Sequence, residues 1–472
     1  MSLALAFCGC AGSTPEERAS DATTDAPLRG DALRSDAPPP GPPLVSEAGF
    51  LDVPPQASAA QYPARMFYSF RPADQNAWQK PLLVVFDGGP GGATTANLLA
   101  YGTGPVTLDP DAGTPLANLA SFTRFANVLF LDERQTGFSY GIGPAPAGAA
   151  TCTFSVIDDA VDYIRATFSF VEAHPGLVGA AVVLVGESYG GTRSTTILHL
   201  AESASDQTVT MPSDVRQTLE VHASQLGQAV LIQPFLAAPQ HTAQTTIVGE
   251  DPYLAVDAGV CTLDGGGGGL DLYNVTKPCG WTKGLESRAG LALAGADSGA
   301  ALLGVDLGTV TDLLPAARTN AFRIPGASVD PAESTFVGRF GTLGPHDSYW
   351  TALNATCPGY DPYLDPEPQT WLYPVIAKAR LFITNARYDP IVYSPAIPWM
   401  LTNIGNTPAA IDTTPQAGVA RPGWIHVTIP HDASAQEVTI RFPSYDSSGH
   451  QVAVTQGADL ADDVEAWLAE GP

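Results

Sequence analysis

Ser188 closes the run Val182 to Ser194, VVLVGESYGGTRS, where a β-branched stretch breaks into a turn of small residues around one hydroxyl. A serine hydroxyl is a weak nucleophile. Chemistry there needs an adjacent base, normally histidine, and an acid that fixes the imidazole's tautomer and stabilises its cation. Gly186, Glu187, Ser188, Tyr189 and Gly190 form a Gly-x-Ser-x-Gly pentapeptide. Alone, that pattern is only moderately specific, because glycine and serine are common and most matches are loop turns. A strand pattern before it and a helix pattern after it make it a nucleophile elbow, the tight turn that lifts a serine out of a sheet.

An elbow implies partners downstream in the order serine, acid, histidine, each at the end of a later strand. Asp389 closes LFITNARYDP and His450 follows FPSYDSSGH. The histidines at 174, 199, 222, 241, 346, 426 and 431 read more simply as surface, helix or packed residues, with His426 and His431 as the rivals because they flank a strand. His450 is preferred for its preceding glycine, late strand and following C-terminal helix. Asp446 is the rival acid, but it lies too near His450 in sequence to come from a separate strand end. A tetrahedral intermediate also needs N–H donors, and DGGPGG at 87–92 offers backbone amides after a strand with no side chains in the way. Gly89 and Tyr189 are the expected oxyanion pair; taken alone, 87–92 reads more simply as a plain glycine loop.

These residues need a sheet to hold them. ARMFYSF, KPLLVVFDGGPGG, ANVLFLDER, AVVLVGES and QAVLIQPFL read as strands, and VIDDAVDYIRATFSFVEAHP and YGGTRSTTILHLAESAS as helices. Their succession implies parallel strands with crossover helices. The rhythm fails from about 237 to 370, a stretch rich in Gly, Pro, Asp and Thr that includes LDGGGGGLDLYN and reads as an inserted cap or lid. It resumes in ARLFITNARYDP, GWIHVTIPH and VTIRFPSYDSSGH, and ends in a helix, GADLADDVEAWLAE. The expected architecture is α/β: a mostly parallel central sheet with helices on both faces, a catalytic domain formed by 45–236 and 371–472, and the cap at 237–370.

The chain of 472 residues is 44% hydrophobic and 8% aromatic, so most of it has the composition of a folded protein. With 48 acidic and 22 basic residues the net charge is −26, which argues against nucleic acid or anionic membrane surfaces as partners. MSLALAFCGCAGS resembles the tail of a bacterial lipoprotein signal, with Cys10 after Gly9 as a better lipid site than Cys8 after Phe7, although no basic segment precedes it. Residues 1–10 are thus expected to direct export, to a lipid-anchored place in the cell envelope or to secretion. Residues 11–44, rich in Ala, Asp, Ser and Pro, are expected to be a disordered tether. In an exported protein Cys152, Cys261, Cys279 and Cys357 would form two disulfides, with Cys261 to Cys279 as the local pair. No later run reaches the eighteen or so apolar residues of a spanning helix. No spacing points to a metal site, and no cofactor is expected.

From about Ser46 onward the chain resembles the serine carboxypeptidase family of α/β-hydrolases. SEAGFLDV with MFYSF is similar to that family's N-terminal hairpin, VVFDGGPGG to its Asn-Gly-Gly-Pro-Gly turn, and ANVLFLDERQTGFSYG to its strand ending in Gly-Phe-Ser-Tyr. GESYGGTRS is similar to its elbow, RYDP to its acid and SGHQV to its histidine. The resemblance implies an exopeptidase that removes C-terminal residues, usually under acidic conditions, with an inserted cap and disulfides around the pocket. It implies Ser188 as nucleophile, His450 as base, Asp389 as its orienter, and the amides of Gly89 and Tyr189 as the oxyanion hole.

That family holds the substrate carboxylate with the turn's Asn, the elbow's Glu and a further Glu before a Gly-Pro. Here Glu187 is kept, Asp87 stands at the Asn position beside Gly88, and Gly102 stands at the second Glu position in YGTGP. If Asp87 and Glu187 face each other, they share a proton and titrate as a pair. Protonated, the pair hydrogen-bonds a carboxylate; ionised, it repels one and welcomes an ammonium. The expected activity is therefore an acid-active serine carboxypeptidase on peptides. The alternatives are an enzyme for amino-terminal or neutral ester substrates, like the related proline iminopeptidases, an acyltransferase, or an inactive binding scaffold.

Overall fold

The computed structural model describes residues 42–54, 63–142, 155–236, 269–271, 273–320, 362–405, 408–416, 419–431 and 434–471. Cys8, Cys10, Cys152, Cys261 and Cys357 lie outside the described residues, as do nearly all of the expected tether and much of the expected cap, so the lipid-anchor and disulfide expectations fall there too.

Ten strands make up the main path of the central sheet: β1 Glu47–Val53, β2 Ala64–Arg71, β3 Leu82–Phe86, β4 Asn127–Leu131, β5 Val182–Glu187, β6 Leu226–Ile232, β7 Arg380–Ile383, β8 Ala409–Asp412, β9 Trp424–His431 and β10 Ser434–Arg441. Their spatial order is β1-β2-β4-β3-β5-β6-β7-β10-β9-β8, and a short strand, Tyr140–Gly141, pairs beside β2. The six strands from β4 to β10 in that order run parallel, while β1, β2, β8 and β9 join antiparallel at the two margins. Strands covered on both faces are apolar at every position, unlike half-exposed strands that alternate. In β3, Leu82, Val84 and Phe86 pack into one core and Leu83 and Val85 into the other; in β5, Val182 and Leu184 oppose Val183 and Val185 in the same way. Each such side chain contributes about 1.5–3 kcal/mol on burial.

The described helices are α1 Val156–Ala173, α2 Gly190–Glu202, α3 Ser213–His222, α4 Trp281–Ala294, α5 Ala296–Leu303, α6 Leu307–Asn320, α7 Glu367–Lys378, α8 Ile397–Gly405, α9 Val452–Thr455 and α10 Gly457–Ala469, with a wide-wound turn at Thr95–Thr103. Ser155 caps α1 by accepting the Asp158 N–H, and acidic Asp158 and Asp159 in the first turn suit the helix's positive end. Helices α1, α2 and α7 contribute Val161, Ile164, Ile197, Leu198, Leu372 and Val375 to the core on one face. The other face is covered by 95–103, α4, α5, α6 and α10 through Leu98, Leu285, Leu293, Leu302, Val310 and Val464.

Helices α4 to α6 lie in the stretch where the sequence rhythm fails. Their buried positions mix leucines with alanine, glycine and polar residues, and α6 carries Pro315 inside it, so the helical period is faint in sequence. Tertiary contact supplies what periodicity does not show: Leu285 and Leu293 are fully buried, and Tyr101 donates to the Leu285 carbonyl at 2.8 Å. Among the described residues, no helix is long and apolar enough to cross a membrane.

Candidate active site

Ser188 follows the last residue of β5 and precedes the first of α2, with φ at 56°, in the left-handed region that a side chain occupies only when its surroundings enforce it. Three backbone bonds enforce it. The Ser188 N–H donates to Ile232 O at 2.9 Å, while Ser188 O accepts from Gly191 N and Phe235 N, each at 2.8 Å. Gly186 permits the turn because a Cβ there would lie 2.5 Å from the Gly190 carbonyl carbon. Ser188 is consequently the partly exposed residue between buried Glu187 and buried Tyr189.

His450 and Asp389 are joined: His450 Nδ1 lies 2.7 Å from Asp389 Oδ2, with both side chains buried. Asp389 follows β7 and His450 follows β10, so both lie beyond the same ends of the parallel strands as Ser188, the edge where open α/β sheets carry their sites. Asp389 Oδ1 accepts the N–H groups of Ile391 at 2.9 Å and Val392 at 3.1 Å, and Oδ2 accepts Gln233 Nε2 at 2.8 Å. His450 itself is fixed by its N–H donating to Tyr273 O at 2.7 Å, with the Tyr273 ring edge-on at 5.3 Å. The rival His426 is exposed and lies against Thr439, and Asp446 is exposed. The side chain of His431 lies outside the described residues.

Gly88 brings the glycine turn against the elbow: a Cβ at this position would lie 2.6 Å from Tyr189 N and 2.7 Å from Ser188 Cβ. The next residue, Gly89, has φ at 103°. The turn and the elbow, which carry the two expected oxyanion donors, are thus in backbone contact.

The carboxylates of the expected substrate pair are buried here. Burial pushes Asp87 up from the usual carboxylate range, against hydrogen bonds from Asn97 and Gly88 and the nearby His450 and Arg193 side chains. Gly88 N donates to Asp87 Oδ1 at 2.7 Å, and Asn97 Nδ2 donates to Asp87 Oδ2. Glu187 is pushed up further, by burial first and then by the Asp87 and Asp389 charges. No side-chain hydrogen bond reaches Glu187 among the described residues. Gly102 has φ at 99°, and a Cβ there would run into the Ala453 carbonyl, so the backbone leaves no room for a second carboxyl at this position.

Three contributors escaped the sequence reading. Gln233, buried and at φ 44°, holds Asp389 while its Oε1 accepts from Ala386 N at 2.8 Å and from Thr384 Oγ1 at 3.0 Å. Its only signal was its place at the end of a strand. Asn97 lies in a segment with no motif, and Tyr273 enters from the irregular region. Among the described residues no group of His, Cys, Asp and Glu is placed to hold a metal ion.

This strand order, with a left-handed serine on the strand-to-helix turn and a histidine–aspartate pair beyond the later strands, defines an α/β-hydrolase. The fold superposes on that of the prohormone-processing carboxypeptidase Kex1 from Saccharomyces cerevisiae with a TM-score of 0.50, covering 90% of this chain and 91% of that one at 11% identity. Within the class, residues 38–212 match the model of the serine carboxypeptidase family, the family that the sequence resembles. Carboxypeptidase sxa2 from Schizosaccharomyces pombe is 33% identical over 126 residues, 26% of this chain and 23% of that one. Serine carboxypeptidase-like 28 from Arabidopsis thaliana is 31% identical over 147 residues, 30% of this chain and 29% of that one. The matched stretches therefore span less than a third of these relatives' length. The family match over 38–212 contains the glycine turn and the elbow.

Proposed function

We propose that the protein is a serine peptidase that acts through an acyl-enzyme, most simply a carboxypeptidase that releases C-terminal residues from peptides at acidic pH. The observation that carries this reading is the 2.7 Å pair of His450 and Asp389 at the sheet edge that bears the left-handed Ser188. In this reading His450 takes the Ser188 proton as the hydroxyl attacks the scissile carbonyl. Asp389 holds the proton on Nδ1, so that Nε2 is the free base, and stabilises the imidazolium. The amides of Gly89 and Tyr189 receive the oxyanion. His450 then gives its proton to the leaving amine, and water attacks the acyl-enzyme by the reverse route. No cofactor or metal enters any step.

Asp87, Gly88 and Glu187 are the proposed substrate-binding residues. Raised carboxyl pKa values support the acid preference: protonated Asp87 and Glu187 donate hydrogen bonds to a substrate carboxylate, whereas their ionised forms repel it. The second reading, recognition of an amino terminus, rests on Asp87 standing near Glu187, because the pair when ionised repels a carboxylate and attracts an ammonium. Two measurements test these proposals. Fluorophosphonate labelling lost in Ser188→Ala is expected; labelling that survives sinks the nucleophile assignment. Cleavage of N-blocked peptides with free carboxylates at pH 5 is expected, and cleavage confined to amidated peptides with free amines selects the second reading. Export, with lipidation at Cys10 as its finer form, belongs to the same proposal and rests on the apolar, cysteine-bearing run at 1–10; fatty-acid labelling that persists in Cys10→Ala rules out Cys10 as the lipid site, and no labelling of the wild type rules the anchor out.

A further inference from the structure

Beneath the glycine turn lies a buried ionic cluster that the steps above do not use. Arg193, on the first turn of α2, is 1% exposed and is flanked by Glu133 after β4 and Asp159 on α1, both also buried. Its Nε donates to Asp159 Oδ2 at 2.8 Å, and its Nη2 lies 2.9 Å from Glu133 Oε2 as an ion pair. The guanidinium lies over the Tyr163 ring, 4.3 Å from its centroid. Burying one cation with two carboxylates is a poor way to stabilise a helix, since well-packed apolar residues often serve as well or better. The arrangement calls for another reason.

The backbone contacts supply one. Arg193 Nη1 donates to the carbonyl of Asp87 at 2.6 Å, and the same Glu133 Oε2 that faces Nη2 accepts the N–H of Gly91 at 2.7 Å. Gly89, a proposed oxyanion donor, sits between these two anchored residues. The other proposed donor is Tyr189, whose carbonyl accepts the N–H of Arg193 at 3.1 Å in the first turn of the helix. The two donors thus come from separate chain segments, and one residue is bonded to both segments.

We propose that Arg193, braced by Glu133 and Asp159, is a positioning residue that sets the spacing between the Gly89 and Tyr189 amides. This rests on the oxyanion assignment of the proposed function. Oxyanion stabilisation depends on donors held in place before charge develops, so a displaced turn lowers kcat and leaves ground-state binding largely intact. Lysine at 193 keeps a charge but cannot fork between Asp87 O, Glu133 and Asp159. Leucine at 133 removes the acceptor of the Gly91 N–H, whereas glutamine retains one.

The test uses the full chain, with hydrolysis of p-nitrophenyl acetate as one readout and hydrogen exchange of the peptide spanning 84–94 as the other. Arg193→Lys and Glu133→Leu are expected to lower kcat about a hundredfold with KM within about threefold, and to speed exchange of the Gly91 amide at least about tenfold. Glu133→Gln is expected to return kcat to within about tenfold of wild type. A lowered melting temperature with unchanged kcat in the folded fraction makes the cluster merely structural and overturns the proposal, as does wild-type exchange in the turn. If Arg193→Lys does not fold, the two Glu133 variants decide. If the wild type hydrolyses no ester and takes no fluorophosphonate, the proposed function fails on that result, while the exchange measurement still decides whether the clamp exists.

Discussion

Two carboxylate regions share the site and are built on opposite principles. Asp389 has four donors around its two oxygens: Ile391 N, Val392 N, Gln233 Nε2 and His450 Nδ1. Every lone-pair direction is answered, as suits a permanent acceptor that orients an imidazole. Asp87 and Glu187 are equally buried, yet Asp87 has two donors and Glu187 none among the described residues. Burial without donors disfavours the charged form, and the nearness of one carboxylate to the other adds to it. Equal burial therefore yields unlike chemistry. The number of donors separates the proposed anchor from the proposed substrate-binding pair.

The largest effect is expected at the anchor. Asp389→Asn keeps the shape but presents an amide N–H to His450 Nδ1, forcing the proton onto Nε2 and leaving no base for Ser188; kcat is expected to fall about 10⁴-fold with KM little changed. A loss below about tenfold, measured on an N-blocked dipeptide, breaks the comparison, because Asp389 would then be no more than a packing residue. A smaller, pH-dependent effect is expected at the pair. Asp87→Asn removes one titrating acid, and Asn97 can serve the new amide, since its buried Oδ1 has no partner now and a turn of the amide would let it accept. The ratio of kcat/KM at pH 7 to that at pH 5 is expected to rise about tenfold, the equivalent of one pKa unit. An unchanged profile separates Asp87 from the pH response and leaves Glu187 as its sole candidate.

The anchor was legible in sequence and the tuning was not. A chemical role imposes residue type and chain order, so the candidates Ser188, Asp389 and His450 could be picked from an elbow, a late strand end and a Gly-His step, and the structure pairs the last two. The buried apolar strands β3 and β5 were readable for a similar reason, since coverage on both faces demands a continuous apolar run. Gln233, Asn97 and Tyr273 act by being brought near, and nothing in LIQPFL or TTANLLA states which neighbour each will meet. The same holds for Arg193 and its two acids, which lie on three elements and pair only once the sheet has formed. Helices α4 to α6 were hidden because alanines, glycines and polar residues interrupt the leucines of their buried faces, and their burial in one core with 95–103 is a tertiary fact.

Burial raises carboxyls beyond the pair as well, including two that face Arg193, and this makes a prediction about stability. Asp158 is pushed up to about 7 and Glu133 to about 8, in both cases chiefly by burial, and Asp159 is raised for the same reason. A carboxyl whose folded pKa lies above its unfolded value binds more protons in the folded state. Its stabilisation is full below the unfolded pKa, near 4, and is lost as pH rises through the folded value. The melting temperature is therefore expected to fall between pH 5 and pH 8, by roughly 5 °C on the scale of a few kcal/mol. Repulsion among the surface charges of a −26 chain acts in the same direction, but salt screens exposed charges far more than buried ones. A fall that survives 0.5 M NaCl and shrinks in Asp158→Asn between pH 5 and pH 7 belongs to the buried carboxyls. A fall abolished by salt belongs to the surface, and the effect of burial on carboxyl titration would then be confined to Asp87 and Glu187.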